Sequence, residues 1–234
     1  MTPSPTISTA VFGVQERLDF VLETYPHPWP IFIDHDHLGP WVGFKGAVHL
    51  ALEQTPEASH VLLLQDDLTF CRNFETVARD VIASNPTEPL SLFSHYGRHA
   101  QQATKAGHRW YRRKDAMWGQ ATVWPRALVE PLIAFGDRMF PAAFPHDDTR
   151  SAAFLLEARR PMWYTVPALV QHAGASRSIM GHSNKRRVAE FFLGDQDPPP
   201  GTWVPTGEEL TQQVRGLSAF RSKYRPDAGA QVSL

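Results

Sequence analysis

With 234 residues, 42% of them hydrophobic, 23 Lys and Arg against 24 Asp and Glu, and a formal net charge of −1, the chain suits one large domain, or a domain with an appendage, around a single core. No segment approaches a membrane span, Met1 to Thr6 lacks the basic start and apolar stretch of a secretory signal, and the lone Cys71 excludes an internal disulfide, so a soluble cytoplasmic protein is expected. Charge is laid out unevenly: residues 1–100 hold 5 Lys and Arg against 12 Asp and Glu, and the remainder 18 against 12, which suits a cation in the first half and an anionic partner in the second.

Ile7 to Val14 reads as a first strand breaking into a loop at Gly13. Leu18, Phe20, Val21 and Leu22 give the apolar side of a helix, closed by Pro26, Pro28 and Pro30 before a short strand, Ile31 to Ile33, that ends at Asp34. From Gly43, the residues Phe44, Ala47, Val48, Ala51 and Leu52 recur on one helical face. Ser59 to Asp67 follows, a solid apolar run stopping at two carboxylates; such a run predicts a strand buried on both faces. Phe74, Val77, Ala78, Val81 and Ile82 predict another helix, and Leu90 to Phe93 a strand.

The polar, basic and aromatic stretch Ser94 to Lys114 then reads as a long functional loop. Ala116 to Trp124 predicts a strand, and Pro125 opens a helix through Leu128, Val129, Leu132 and Ile133 whose length is challenged by Pro131. His146-Asp147-Asp148-Thr149 opens a helix through Phe154, Leu155 and Leu156, and a single strand, Met162 to Val170, delivers His172. The expected fold is α/β, a mixed, mainly parallel Rossmann-like sheet flanked by helices over residues 1–193. Residues 194–234 read as a Pro- and Gly-rich linker followed by a C-terminal helix, Glu208 to Tyr224, on or near the core.

In open α/β sheets ligands collect outside the carboxyl ends of the strands, where Asp66 and Asp67 stand. Adjacent carboxylates repel, so a cation between them and an anionic substrate is the first inference; capping of a following helix by Asp67 is the bland alternative. Gln65-Asp66-Asp67, His146-Asp147-Asp148 and His172 together offer carboxylate oxygens and an imidazole suited to Mn²⁺ or Mg²⁺, whereas no cysteine or multi-histidine cage points to zinc.

The succession of a strand and loop with Gly13 and Arg17, a strand ending in Asp34, Val61-Leu62-Leu63-Leu64-Gln65-Asp66-Asp67, a later acid pair before a helix, and Leu169-Val170-Gln171-His172 resembles a GT-A fold glycosyltransferase, in particular its small, soluble, phage-type members. The likeness covers roughly Ile7 to Ser178, and Gln65 stands where the Asp-x-Asp signature has its first Asp. The resemblance implies transfer of a sugar from a nucleotide diphosphate sugar, UDP-sugar as the leading donor, with Asp67 and His172 binding the metal. It further implies that Asp66 and Gln65 meet or stiffen the ribose site, that Asp34 meets the base or ribose, and that Gly13 and Arg17 line the same pocket. Lys45 would reach base or phosphate, and Asp148, or Asp147, would be the general base if the reaction inverts configuration, whereas a retaining reaction would need no such base. For a phage protein the setting would be the host cytoplasm.

Arg109, Trp110, Arg112 and Arg113, with Tyr111 between them, interleave cations and aromatics; together with Lys185, Arg186 and Arg187 they predict an acceptor site, with a hydroxymethylated pyrimidine in DNA as the expected acceptor. A glycan, protein or small-molecule acceptor remains open. So do a metal-dependent phosphoesterase or nuclease, and a binding module that has lost activity.

Overall fold

A computed structural model of the chain describes residues 4–95, 97–114, 118–173, 188–198, 203–209 and 211–212. The first half follows the predicted succession: β1 (Ile7–Gly13), a 3-10 turn (Gln15–Arg17) running into α1 (Leu18–Thr24), β2 (Ile31–Ile33), α2 (Pro40–Gln54) and β3 (His60–Gln65). A short strand, β4 (Leu68–Phe70), then intervenes before α3 (Phe74–Ser84), so Asp67 enters a strand and caps no helix. The second half adds β5 (Leu90–Ser91), α4 (Gly97–Lys105), β6 (Trp110–Arg113), β7 (Ala121–Pro125), α5 (Arg126–Met139), α6 (Asp147–Glu157), β8 (Met162–Thr165), β9 (Val170–His172) and β10 (Thr211–Gln212).

Among the described residues eight strands form one mixed sheet, ordered β10-β6-β8-β5-β7-β3-β1-β2. Four neighbour pairings are parallel and three antiparallel. Alternation along β3 divides the core in two: Val61 and Leu63 pack with residues of α2, α4, α5 and α6 on one face, Leu62 and Leu64 with α1 and α3 on the other. The expected faces are buried, Phe44, Ala47, Val48 and Ala51 on α2 and Phe74, Val77, Ala78, Val81 and Ile82 on α3. Pro40 opens α2, where its missing N–H costs nothing, and α5 runs through Pro131 because Val129, Leu132, Phe135 and Met139 bury its inner face. No helix among the described residues is long and apolar enough to cross a membrane.

Three expectations are corrected. Ser94 to Lys114 is no loop: α4 buries Ala100 and Ala103 from an otherwise polar helix, and β6 completes the sheet beside β8. Met162 to Val170 is two strands, because the chain leaves the large sheet at Val166-Pro167, where proline has no N–H for a ladder, and reappears as β9 against β4. Thr211 and Gln212 are extended beside β6 and not helical. Leu210 and residues 213–224 of the predicted C-terminal helix, the start of the Ala116 strand and the Lys185-Arg186-Arg187 cluster lie outside the described residues.

The β6 correction removes two supposed acceptor contacts. Trp110 and Tyr111 are fully buried; Trp110 sits edge-on to Trp163 and Trp203, and its indole N–H donates to the Trp203 carbonyl at 2.6 Å. Tyr111 stacks on Tyr164 at 4.8 Å. Trp110→Ala is therefore expected to cost about 3–5 kcal/mol of stability, as large-to-small changes of buried Trp do. Urea unfolding measures it; loss of acceptor binding at unchanged stability would return Trp110 to a recognition role.

Candidate functional site

Parallel pairing of Val11 with Leu64 and Phe12 with Gln65 brings the carboxyl ends of β1 and β3 to one edge of the sheet. Asp66, just beyond β3, packs directly over Gly13: a Cβ on that glycine would fall 2.3 Å from both the Asp66 Cβ and Oδ2. Asp66 Oδ2 accepts the Val14 N–H at 2.9 Å, and the following 3-10 turn brings Arg17 over the acids. Arg17 Nη1 donates to Asp66 Oδ1 and to Asp67 Oδ2, each at 2.7 Å. All three side chains are largely buried.

Their surroundings drive the two acids apart. Burial raises the Asp66 carboxyl above its ordinary range, with Arg17 only partly opposing it. Burial pushes Asp67 the same way, but hydrogen bonding and charge from His172 and Arg17 outweigh it and hold that carboxyl low. Burial works against the Arg17 guanidinium, yet the Asp67 and Asp66 charges leave it more firmly protonated than usual.

His172 arrives by the ribbon of β4 and β9, in which Leu68 stands opposite His172 and the Ala173 N–H donates to the Asp67 carbonyl at 2.7 Å. The His172 Nε2 lies 3.0 Å from Asp67 Oδ2, whereas Asp67 Oδ1 is buried without a hydrogen-bond partner. Tyr25, which no pattern in the sequence marked, clamps the turn: its hydroxyl donates to the Gln65 carbonyl and accepts the Leu68 N–H. Cys71 is buried nearby in the chain, its thiol pushed up to about 12 by burial, in keeping with an inert residue.

A cavity of about 410 Å³ opens in front of the acid pair. Gly13, Arg17, Asp34, Gln65, Asp66, Asp67, Asp147 and Asp148 all line it, so residues more than 130 positions apart in sequence share one wall system. Asp34 takes a structural part there: Oδ1 accepts the Leu38 N–H at 3.0 Å and Oδ2 the Gly39 N–H at 2.7 Å, which folds the loop after β2. Lys45 is corrected. It does not line the cavity but pairs with Asp137 of α5 at 3.1 Å, because α2 directs that face toward α5.

Arg109, Trp110, Arg112 and Arg113 are also absent from the lining, with β7, β5 and β8 between β6 and β3 in the sheet. Arg112 lies 4.9 Å over the Trp163 ring and donates to the Glu209 carbonyl, and Arg113 is buried with Nη1 3.3 Å from His99 Nδ1. These contacts bind the sheet edge, which corrects the expectation of a joint acceptor surface.

The start of α6 supplies another part of the lining. Asp147 is 3% exposed, its Oδ2 has no hydrogen-bond partner, and burial, aided by the Asp148 charge, pushes its carboxyl up to about 7. A Cβ on Gly119 would fall 2.6 Å from that Oδ2 and 3.2 Å from Gln65 Nε2, so glycine there lets Asp147 and Gln65 approach a common space. Asp148 is only half-buried, and its Oδ1 accepts the Thr149 N–H at 2.6 Å.

Arg150, which sequence patterns also passed over, holds this wall. Its fully buried guanidinium donates to the carbonyls of Gly136 at 2.5 Å, Pro141 at 2.8 Å and Phe144 at 2.7 Å, with Trp41, Phe140 and Phe144 rings around it. The Trp41 N–H donates to the Pro145 carbonyl at 2.8 Å, joining that loop to α2.

Among the described residues no group of three or more His, Cys, Asp and Glu side chains is arranged as a complete metal cage. Asp67 and His172 nevertheless fit two positions of one. Ligands about 2.1 Å from a hard octahedral cation stand about 3 Å apart in neighbouring positions, and the observed O···N separation is 3.0 Å. The buried, partnerless Asp67 Oδ1 adds a further acceptor. No protein-family model matches the chain, and no curated protein matches it.

Asp147 yields a stability prediction. Between the ordinary carboxyl range near 4 and a folded value of about 7, the unfolded chain ionises while the folded chain stays protonated, so stability falls as pH rises across that window and is level above it. Asp147→Asn removes the penalty. It is expected to melt higher than the parent at pH 8, with the gap closing by pH 4; an equal melting point at pH 8 would contradict the buried, strained acid.

Proposed function

We propose that this chain is a GT-A type glycosyltransferase that takes a sugar from a nucleotide diphosphate sugar, with Mn²⁺ or Mg²⁺ at Asp67 and His172. The observation that carries the reading is the 3.0 Å approach of His172 Nε2, itself outside the cavity lining, to Oδ2 of the lining residue Asp67, in a cavity that also holds the buried, partnerless Asp147. The mixed α/β sheet, with its site beyond the carboxyl ends of β1 and β3, supports it.

Charge gives the reason for a metal. The described lining carries five carboxyl groups, those of Asp34, Asp66, Asp67, Asp147 and Asp148, against the guanidinium of Arg17. A diphosphate cannot settle against that wall without added positive charge. A divalent ion, when bound, supplies it and stabilises the charge that develops on the leaving diphosphate.

Asp67 and His172 would hold the ion, and phosphate oxygens and water would fill its remaining positions. Gly13 and Val14 leave a backbone wall for the nucleoside, and the Asp34-folded loop bounds it. Asp147 would take the proton of an acceptor hydroxyl as that oxygen attacks the anomeric carbon. The bond from that carbon to the diphosphate oxygen breaks with its electron pair, and configuration inverts. The resemblance put Asp148 ahead; burial, an Oδ2 without a hydrogen-bond partner and a carboxyl pushed up to about 7 favour Asp147, since a base works best when its proton affinity matches the working pH.

The acceptor is a hydroxyl compound. DNA enters as one arm of the test, because Trp110, Tyr111 and Arg113 are buried, Arg109 and Arg112 are half-buried away from the cavity lining, and the Lys185 cluster lies outside the described residues.

Thermal shift with a panel of nucleotide sugars, UDP-sugars first, is expected to raise the melting point only when Mn²⁺ or Mg²⁺ is present. EDTA or Asp67→Asn is expected to abolish the shift. Transfer to a hydroxyl acceptor, with DNA containing hydroxymethylated pyrimidines among those offered, should rise with pH through about 7 and fall about 10²–10⁴-fold in Asp147→Asn. No shift with any nucleotide sugar plus metal, or cleavage of bare DNA instead of sugar transfer, would overturn the reading.

A further inference from the structure

The acid pair already holds a cation of its own. Arg17 Nη1 is 2.7 Å from Asp67 Oδ2, the same oxygen that His172 Nε2 approaches at 3.0 Å. The atom through which Asp67 would share a divalent ion with His172 is thus the atom that Arg17 grips. Resting on the metal-dependent reading above, we propose that Arg17 is a displaceable counter-ion: it neutralises the carboxylates in the metal-free protein, and a divalent ion at Asp67 and His172 expels it from Asp67 toward the phosphates of the donor.

Three features of the site support the exchange. Two positive groups cannot crowd one carboxylate oxygen at hydrogen-bond distance without repelling each other, so guanidinium and metal compete. Asp67 is 6% exposed, and its Oδ1 has no hydrogen-bond partner, leaving acceptor capacity that the guanidinium does not use. Arg17 closes a three-residue 3-10 turn and itself lines the cavity, so a change of partner can occur within the site.

The consequence is a thermodynamic coupling. Metal binding alone strips Arg17 of its contact with Asp67, whereas an anionic donor supplies a replacement, so each ligand favours the other.

Binding of Mn²⁺ without nucleotide, followed by loss of the free-ion signal in electron paramagnetic resonance, tests the proposal independently of turnover. Arg17→Met and Arg17→Gln are both expected to bind Mn²⁺ at least tenfold more tightly than the parent, and Mn²⁺ should raise their melting points by more than it raises the parent's. The parent protein gives a measurement free of folding artefacts: the restrained Arg17 guanidinium resonance of the metal-free state should become motionally averaged at saturating Mg²⁺. Equal or weaker Mn²⁺ binding in both variants, or an Arg17 resonance unmoved by Mg²⁺, overturns the exchange while leaving the metal site standing. Mn²⁺ binding undiminished in Asp67→Asn, or no binding by any of these proteins, overturns the metal-dependent reading and the exchange together.

Discussion

Two adjacent carboxylates at the end of a strand buried on both faces impose a demand that much of the surrounding chain answers. β3 is covered on both sides, so Asp66 and Asp67 leave it at the margin of the core with little water to share their charge. Arg17 supplies the countercharge, and its reach fixes the path after β1: the strand must stop at Gly13, turn at Val14 and tighten into a 3-10 turn. The glycine is required at that point because Asp66 occupies the space a side chain would fill. Tyr25 then ties the far end of α1 back to Gln65 and Leu68, so both ends of the first helical segment are anchored on the acid turn.

From that turn the chain makes a second commitment. β4 leaves the plane of the large sheet and finds its partner more than 100 residues later in β9, which sets His172 against Asp67. The rest of the lining has separate supports, in Asp34 folding the loop before α2 and Arg150 gathering carbonyls of α5 and of the chain between α5 and α6. These supports create different environments for chemically identical groups. Asp67 is held low by His172 and Arg17, while Asp66 and Asp147 are raised by burial. In the proposed reading, a carboxylate held low to take a cation would share the cavity with an acid raised to exchange a proton, a separation that lets a single residue type serve two roles.

The parts legible in the sequence are those with a strong local period or an abrupt local change. β3 announced itself by an unbroken apolar run, α2 and α3 by their helical spacing, and Asp66 and Asp67 by standing where the run stops. β4 was illegible because three residues carry no period, and without it the long strand assigned to Met162 to Val170 had no reason to break. Ser94 to Lys114 misled through composition: arginine and tryptophan look like a nucleic-acid surface when their neighbours are unknown, whereas Trp163, Trp203 and the Glu209 carbonyl absorb them. Lys45 failed similarly, since only the packing of α2 on α5 reveals Asp137 as its partner. Tyr25, Gly119 and Arg150 act through tertiary contacts alone and leave no mark in their flanking residues.

The same balance of forces argues against treating the Arg17 contacts as a fold-stabilising device. Bringing a guanidinium and two carboxylates out of water carries a desolvation cost that their mutual attraction often only offsets, so a buried ion pair adds little net stability over well-packed apolar side chains. An apolar pair at positions 66 and 67 would satisfy the end of β3 without any need for Arg17, although Gly13 would still be required because the residue-66 Cβ itself packs over it. Once the acids are present, however, removing their partner strands charge in the interior, at a cost of about 3–5 kcal/mol for buried pairs in general. Arg17 is therefore best understood as the consequence of the acids being there, and the proposed function would give those acids, which packing alone does not call for, a ligand to hold.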